Sequence, residues 1–599
     1  MKAAALGLLL AATMAQAQVP LSNSGIGINL DAQKYWQSDW PFINELKRAG
    51  GWGTSCEPSM PQCRDFAKGG SPNDTKEQDK LELDADGWVK RLPAADDPSV
   101  KYRGLFVLLW QGNGGAQAPG RYVVLYDGEG TIGYAGAGRK IAAESRPGRD
   151  VLEVVNRPAM GLQIRITRID ENNHLRNLRI IGPGGVCAGA PLVFVGEASR
   201  CSPASSFRSL EQLSATQTFH PAFLADLHGM RAMRFMKWNG TETSTLSRWD
   251  QRPKPGDAMW SSGNGVPYEA MLELASAAGA DPWISVPSRV DDDFLLQFAR
   301  LAKRSLRPGS ALWFEYGNEP WNAAPPWSQA GEFYEQKARA AWPGATQPAW
   351  QQRLNWYALR SVQACRIVKR EFGNQASRVR CVANGQAANP AMSETVLACE
   401  LARPLVGDRC SRDFDALAIA PYFGHQIGDP QYKATVDRWP DEPDGGLASL
   451  FREITGRDAQ GQPADAPMFA ESKGRTPRQG SLEQVRGWIR ASKQVADKHG
   501  LPLVAYEGGQ HMIVYRGGKT EAMFRAANRD PRMGQAIEQL LADWKEAGGQ
   551  LFVAFSYTQQ PSRGMFWGMK EQQTDDEAPK WKAIKAWRDR PCWWKACAR

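Results

Sequence analysis

Six histidines in 599 residues, no Cys-x-x-Cys and no His-Glu-x-x-His leave no metal-ligand spacing to read. The histidines (His174, His220, His228, His425, His499, His511) are scattered, so metal catalysis is not expected. Cofactor motifs are equally scarce. Gly128-Glu-Gly-Thr-Ile-Gly133 matches G-x-G-x-x-G, but it falls among strand-like runs with no helix after it, and it reads as a turn. No metal and no cofactor are therefore expected. Beyond the N-terminus no apolar run approaches the ~20 residues that a membrane-spanning helix requires. Lys and Arg outnumber Asp and Glu by 73 to 64, a net charge of +9, yet they form no dense basic run, which argues against nucleic acid as a partner. Disorder is excluded as well, because apolar residues make up 42% of the chain and aromatics 10%.

The N-terminus has the layout of an export signal. Lys2 supplies the charge, Ala3–Met14 a short apolar stretch, and Ala15-Gln16-Ala17 a small-x-small cleavage site, so residues 1–17 are read as a signal for the periplasm or the medium. Ten cysteines agree with that compartment: an even count in an exported chain argues for disulfides. They fall as local pairs (56/63, 187/201, 365/381, 399/410, 592/597). Spacing does not fix connectivity, but nearest-neighbour pairing closes the shortest loops and would pin them locally. Tryptophan is abundant, with 23 residues. Its flat apolar face and single N–H suit stacking on sugar rings as well as core packing, so carbohydrate is a candidate ligand.

Three zones separate along the chain. Residues 18–81 hold a short apolar strand (Gly25–Leu30), a helix candidate (Trp40–Arg48) and a Gly/Pro/Cys-rich loop. Residues 82–205 change to a period of two, with strand-like runs at Gly104–Trp110, Arg121–Tyr126, Val151–Val155, Gly161–Arg168 and Leu175–Ile181, which predicts a β-sandwich. Residues 206–599 alternate strands and helices. Strand candidates are Met230–Lys237, Pro282–Pro287, Ala311–Tyr316, Val379–Asn384, Ala416–Pro421, Pro502–Tyr506 and Gln550–Ser556. With Gly25–Leu30 they make eight, the count of an α/β (β/α)8 TIM barrel whose first unit is followed by the sandwich as an insertion. The stretch 424–500 exceeds a plain connection by about fifty residues and is read as a cleft-shaping excursion, with a strand candidate at Pro467–Glu471.

Chemistry concentrates at two strand ends. An apolar run leads into Asn318-Glu319-Pro320-Trp321-Asn322, and another delivers Glu507 in Tyr506-Glu-Gly-Gly-Gln-His511. In a barrel both carboxylates reach the C-terminal rim, on strands four and seven, where such folds do their chemistry. Cleaving a glycosidic bond needs one carboxyl group to protonate the leaving oxygen and a second to meet the oxocarbenium-like centre. Glu319 is the expected acid/base, with a pKa raised by burial and by its negative neighbour, and Glu507 the expected ionised nucleophile. Asn318 suits the sugar 2-hydroxyl. Tyr422 would orient Glu507 through its hydroxyl, and Arg234 on strand two would keep Glu507 ionised or else pair with the inward-facing Glu315. Trp238, Trp321 and Trp567 are the expected stacking platforms, and Asn322, His425, Gln510 and His511 further cleft residues; Trp283 and Trp313 read as core.

This pair of strand-end glutamates resembles that of glycoside hydrolase clan A, the retaining (β/α)8 glycosidases. Phe314–Asn322 and Tyr506–His511 are also similar to exported bacterial sequences of the cellulose-binding domain protein type. The resemblance covers about residues 25–55 and 206–587 and implies a retaining β-glycosidase acting on a polysaccharide or oligosaccharide, with Glu319 as acid/base and Glu507 as nucleophile. The alternative is a non-catalytic carbohydrate-binding or adhesion protein on the same barrel. A binding protein has no need for two carboxylates at neighbouring strand ends.

Overall fold

The computed structural model describes residues 19–597 apart from 61–62, 156–159, 262–263, 326–327, 471–478, 515–517 and 562–563, so the expected signal at 1–17 lies outside the described residues. Eight parallel strands close a barrel: β1 (Ile26–Asn29), β2 (Ala232–Arg234), β3 (Asp281–Val286), β4 (Leu312–Tyr316), β5 (Val379–Asn384), β6 (Ala416–Ile419), β7 (Leu503–Ala505) and β8 (Phe552–Ala554). Closure is through β8 against β1, with Ile26 opposite Phe552. All eight expected strands are present, with Glu319 and Glu507 following β4 and β7. These strands were legible because parallel barrel strands are covered on both faces and so read as unbroken apolar runs. Ala232, Trp283, Val382, Ala418, Val504 and Val553 fill the interior, while Ile28, Met233, Ile284, Phe314 and Leu417 face the helices. Trp283 and Trp313 stack at 5.1 Å inside the barrel, the core role expected of them.

Helices cover the outside. α1 (Asp292–Ser305) is capped by Asp291, whose side chain accepts from the Phe294 N–H at 2.7 Å. Its first turn is acidic and its last basic, as the helix dipole favours. Phe294, Leu295, Phe298, Ala299, Leu301 and Ala302 bury one face. α2 (Ala349–Phe372), α3 (Ser481–Lys498) and α4 (Pro531–Glu546) likewise end in a basic turn and bury an apolar face, and of the three only α4 has a side-chain cap, Asp530. Among the described residues no helix is long and apolar enough to cross a membrane.

Between β1 and β2 the chain builds antiparallel sheets. One holds Gly53–Ser55, Gly104–Leu109, Leu162–Ile169 and Gly130–Gly136; the other holds Gly138–Lys140, Arg149–Val154, Gly120–Asp127 and Arg176–Ile181. Val107, Trp110, Tyr122, Leu152, Ile164 and Ile180 share their core. A three-stranded sheet (Ala190–Val195, Gly185–Cys187, Phe207–Ser209) follows. Gly53–Ser55, from the stretch read with the first barrel unit, is thus a strand of the inserted sheets.

Three local expectations are corrected. The helix expected over Trp40–Arg48 is a single 3-10 turn, Glu45–Arg48, because Phe42 and Asn44 form bridges to Phe219 and Ile181 that keep the chain extended. Gly128–Gly133 is not wholly a turn: from Gly130 it is a strand paired with Leu162–Ile169. Pro467–Ala470 is a short helix rather than a strand, with Pro467 at its first position; Glu471 lies outside the described residues.

All ten cysteines are paired, each with its nearest neighbour, across sequence separations of 5 to 16. Cys365–Cys381 ties α2 to β5, and Cys187–Cys201 ties the end of the strand Gly185–Cys187 to the segment that follows its sheet partner Ala190–Val195. Five disulfides are consistent with an exported protein.

Candidate active site

β4 leaves the barrel through Gly317, whose φ of +68° and proximity to Tyr334 (a Cβ would sit 2.2 Å from its hydroxyl) admit only glycine. Asn318 and Glu319 follow at the mouth, both buried. Glu319 has φ +44° immediately before Pro320, where local sterics favour extended backbone, so surrounding contacts must hold it there. Asn322 does so: its backbone N–H donates to the Glu319 carbonyl and its Nδ2 to Glu319 Oε2, each at 2.9 Å. Tyr506, just past β7, extends its hydroxyl to Glu319 Oε1 at 3.4 Å. Above the barrel Tyr422–Phe423 pairs in parallel with Gly509–Gln510, continuing β6 and β7 and fixing Tyr422 beside Glu507.

Arg234, fully buried at the end of β2, organises the floor. Nε and Nη2 donate to the two oxygens of Glu315, each at 2.8 Å. Nη1 donates to Glu507 Oε1 at 2.6 Å and to Asn29 Oδ1 at 3.2 Å, and Nη2 also to Asn318 Oδ1 at 2.7 Å. All five N–H groups of the guanidinium are used, which no lysine could imitate. The two partners weighed for Arg234 are thus both present: one guanidinium hydrogen-bonds Glu315 and Glu507 together. Glu315 is completed by Trp283 Nε1 at 2.7 Å and Ser285 Oγ at 2.5 Å. Because Asn318 gives its oxygen to Arg234, its NH2 is the group it can offer a ligand.

The environments of the two glutamates differ. Burial, then the charge of Glu507, pushes the Glu319 carboxyl up to about 8, against which Asn322 provides only a neutral donor. Burial raises Glu507 too, but Arg234, Lys237 and the Tyr422 hydroxyl (2.9 Å from Oε2) favour its charged form. The opposite charges and the hydroxyl donor therefore favour placing the pair's negative charge on Glu507. Tyr422 is itself held well above the usual phenol range, by burial and then by Glu507, and so remains a donor.

Three expectations follow. The pH profile of kcat/KM should be bell-shaped, falling at low pH as Glu507 takes up a proton and at high pH, near 8, as Glu319 loses its own. Stability carries the matching sign. The Glu319 contribution is fully present below the ordinary carboxyl value of 4.5 and is lost as pH rises through about 8. Glu319→Gln, neutral throughout, should therefore melt higher than wild type at pH 9 and not at pH 4, as thermal unfolding at both values would show. Tyr422→Phe removes a hydrogen bond to a charged group, for which about 1.5–3 kcal/mol is typical. It should lower kcat/KM by about 10- to 100-fold and move the acidic limb upward in steady-state assays across pH.

These residues open into a cavity of about 470 Å3 at the barrel mouth. Glu319, Glu507, Asn318, Tyr422, Trp321, Asn322, His425, His511 and Trp567 all contribute to its wall. Trp567 is pinned by donating Nε1 to His511 Nδ1 at 3.2 Å, and burial pushes His511 down to about 4, keeping it the neutral acceptor. Two expected residues do not line this cavity. Trp238 is 1% exposed and packed against Phe235, Phe42 and Phe219, and it borders a neighbouring cavity instead. Gln510 is fully buried; its Nε2 donates to the Phe566 carbonyl and its Oε1 accepts from the Met512 N–H at 2.7 Å, so it braces the rim from beneath.

The structure adds residues that the motifs did not single out. Asn29, ending β1, bridges Arg234 and the Tyr506 carbonyl (2.9 Å). Lys237 and Glu242, paired at 2.8 Å in the loop after β2, and Trp488 of α3 line the cavity. Polar residues just past strand ends were a usable signal for the first three, whereas nothing in a helical run marks Trp488. Among the described residues no group of three or more His, Cys, Asp or Glu is arranged to hold a metal ion.

No protein-family model matches the sequence, and no curated protein matches it. Among solved structures the chain is similar to a GH51 arabinofuranosidase from Xanthomonas axonopodis pv. citri, with 11% identity, 68% of this chain and 69% of that one covered, and a TM-score of 0.32. It is also similar to a family 5 xyloglucanase from Paenibacillus pabuli (11% identity, 62% and 92% covered, TM-score 0.33). A third is a GH5-4 broad specificity endoglucanase from Bacteroides salanitronis (12% identity, 61% and 83% covered, TM-score 0.31). At those TM-scores the side chains, and not the likeness, carry the chemistry proposed below.

Proposed function

We propose that this chain is an exported, retaining glycoside hydrolase that cleaves β-glycosidic bonds of a polysaccharide or oligosaccharide through two glutamates. One observation carries the proposal: two buried carboxyl groups share one cavity at the C-terminal mouth of a barrel, Glu507 hydrogen-bonded to the Arg234 guanidinium and the Tyr422 hydroxyl, Glu319 only to the neutral donors Asn322 and Tyr506. That asymmetry is what glycoside cleavage asks of its acid and its nucleophile. Glu319 protonates the leaving oxygen. Glu507, with Oε1 on Arg234 and Oε2 on Tyr422, attacks the anomeric carbon, and the covalent glycosyl-enzyme is hydrolysed by water that Glu319, now a base, deprotonates. The Asn318 NH2 meets the 2-hydroxyl, a contact that strengthens as charge develops at the ring. Trp321, Trp567 and Trp488 offer apolar faces to the sugar rings.

The test is a panel of β-linked glycans followed by proton NMR of the first product. The β-anomer should appear first and mutarotate afterwards. Initial release of the α-anomer would overturn retention, and no cleavage by wild type of any glycan would overturn the enzymatic reading.

A further inference from the structure

A second cavity, of about 610 Å3, adjoins the catalytic one, and Lys237, Glu242, Phe555 and Trp567 belong to the walls of both. Each lies in the range of roughly 300–1,000 Å3 that accommodates a small ligand, so together they offer more room than bond cleavage at a single ring requires. The far wall of the second cavity does not come from the barrel alone. The chain leaving β1 supplies Asp31, Lys34 and Trp36, and the inserted sandwich supplies Gln111 and Gly112, just past its strand Gly104–Leu109. Trp36 is 38% exposed, one of few large apolar side chains so placed, and Tyr35 meets it edge-on at 4.7 Å. Gly112, at φ +84°, comes close enough that a Cβ there would lie 3.9 Å from Cβ of Trp36.

That wall is fixed rather than tethered. Gln560, beyond β8, donates to the Asn113 carbonyl; Trp40 Nε1 donates to the Ala116 carbonyl at 2.8 Å, and Trp110 Nε1 to Glu45 at 3.1 Å. The charged lining balances: Lys34 and Lys237 stand against Asp31 and Glu242, with Lys237 and Glu242 already paired. A balanced lining exerts no net pull on a uronate or sulfate group. An exposed indole beside amide and ammonium donors matches an uncharged sugar, whose apolar face stacks while its hydroxyls bond.

We propose that the second cavity is a subsite for a neutral glycan chain, built jointly by the barrel and the inserted sandwich, so that the substrate spans both cavities and is cut internally. This rests on the glycosidase reading above and gives the insertion its role. The experiment compares wild type, Trp36→Ala and Gln111→Ala on cello-, manno- and xylo-oligosaccharides of two to six rings and on the matching aryl monoglycosides. Binding of the hexasaccharides, and of a glucuronate-bearing hexasaccharide, to Glu507→Gln with and without Trp36→Ala is measured by calorimetry. For at least one neutral series kcat/KM should rise with chain length. Trp36→Ala should remove about tenfold on the longest members, equivalent to ~1.4 kcal/mol, and leave the monoglycoside unchanged.

Equal losses on long and short substrates, or none on either, overturn the subsite while the glycosidase reading stands. Tighter binding of the glucuronate-bearing chain overturns its neutral preference. Trp36-dependent hexasaccharide binding without cleavage by wild type supports the subsite and overturns the chemistry. Neither binding nor cleavage overturns both.

Discussion

Glu507→Gln is expected to lower hydrolysis on the order of 10⁴-fold or more, about 5.5 kcal/mol of barrier at 1.4 kcal/mol per tenfold. The glutamine keeps the shape of the side chain and an oxygen for Arg234, but it cannot form the glycosyl-enzyme. It presents no negative charge to the oxocarbenium-like centre either. Binding should survive, because the residues that would touch the sugar (Trp321, Trp567, Asn318) are untouched. Removing the negative neighbour should also lower the Glu319 pKa from about 8, since the Glu507 charge is its second-largest cause after burial. Glu507→Ala with added azide gives a sharper readout: azide enters from the vacated face and yields a glycosyl azide of inverted configuration. Glu319→Ala should yield a β-azide instead, because the covalent step still occurs. Glu319→Gln should cost about 10²- to 10⁴-fold with poor leaving groups, the range of general acid catalysis, and much less with activated aryl leaving groups that need no proton. Full activity of either glutamine variant on a natural glycan would sink the assignment.

The sequence made the scaffold readable and the cavity walls only partly so, for physical reasons. A barrel strand buried on both faces leaves a short apolar run bounded by polar rim residues, which is why all eight strands and the placement of Glu319 and Glu507 could be read. Side-chain direction past the end of a strand leaves no such trace. Trp238 and Trp567 both lie in segments that follow barrel strands, yet the first turns into an aromatic cluster and the second is held in the cleft by His511. Gln510 shows the same limit. It follows Glu507 by three residues, but the parallel pairing of Tyr422–Phe423 with Gly509–Gln510 directs it beneath the rim. The Trp40–Arg48 stretch failed as a helix because tertiary bridges to Phe219 and Ile181 outweighed a weak local preference. The second cavity was illegible altogether. Its walls come from segments more than seventy positions apart in sequence, and only the docked insertion brings Gln111 to Trp36.

Arg234 is where fold and chemistry are hardest to separate, and replacing it should affect both. Its guanidinium serves two buried carboxylates, with side-chain exposures of 0% for Glu315 and 7% for Glu507. A buried pair adds little over an apolar isostere, since desolvation offsets most of the attraction, but removing one partner strands the other charge at a cost of about 3–5 kcal/mol. Arg234→Met should therefore lower unfolding stability by about that amount in a denaturant titration. Arg234→Lys should help little, because three donors on one nitrogen cannot span Glu315, Asn29, Asn318 and Glu507 together. The loss should be partly restored in Arg234→Met/Glu315→Gln, where the deeper carboxylate is neutral and can still accept from Trp283 and Ser285. Activity should not return in that double variant. Without the guanidinium, the Glu507 carboxyl loses its strongest opposing charge, its pKa rises further, and the acidic limb of the pH profile moves toward the basic one until the bell narrows. Recovered stability with a narrowed bell identifies Arg234 as the group that keeps the nucleophile charged; recovered stability with a wild-type pH profile would reduce it to a packing partner of Glu315.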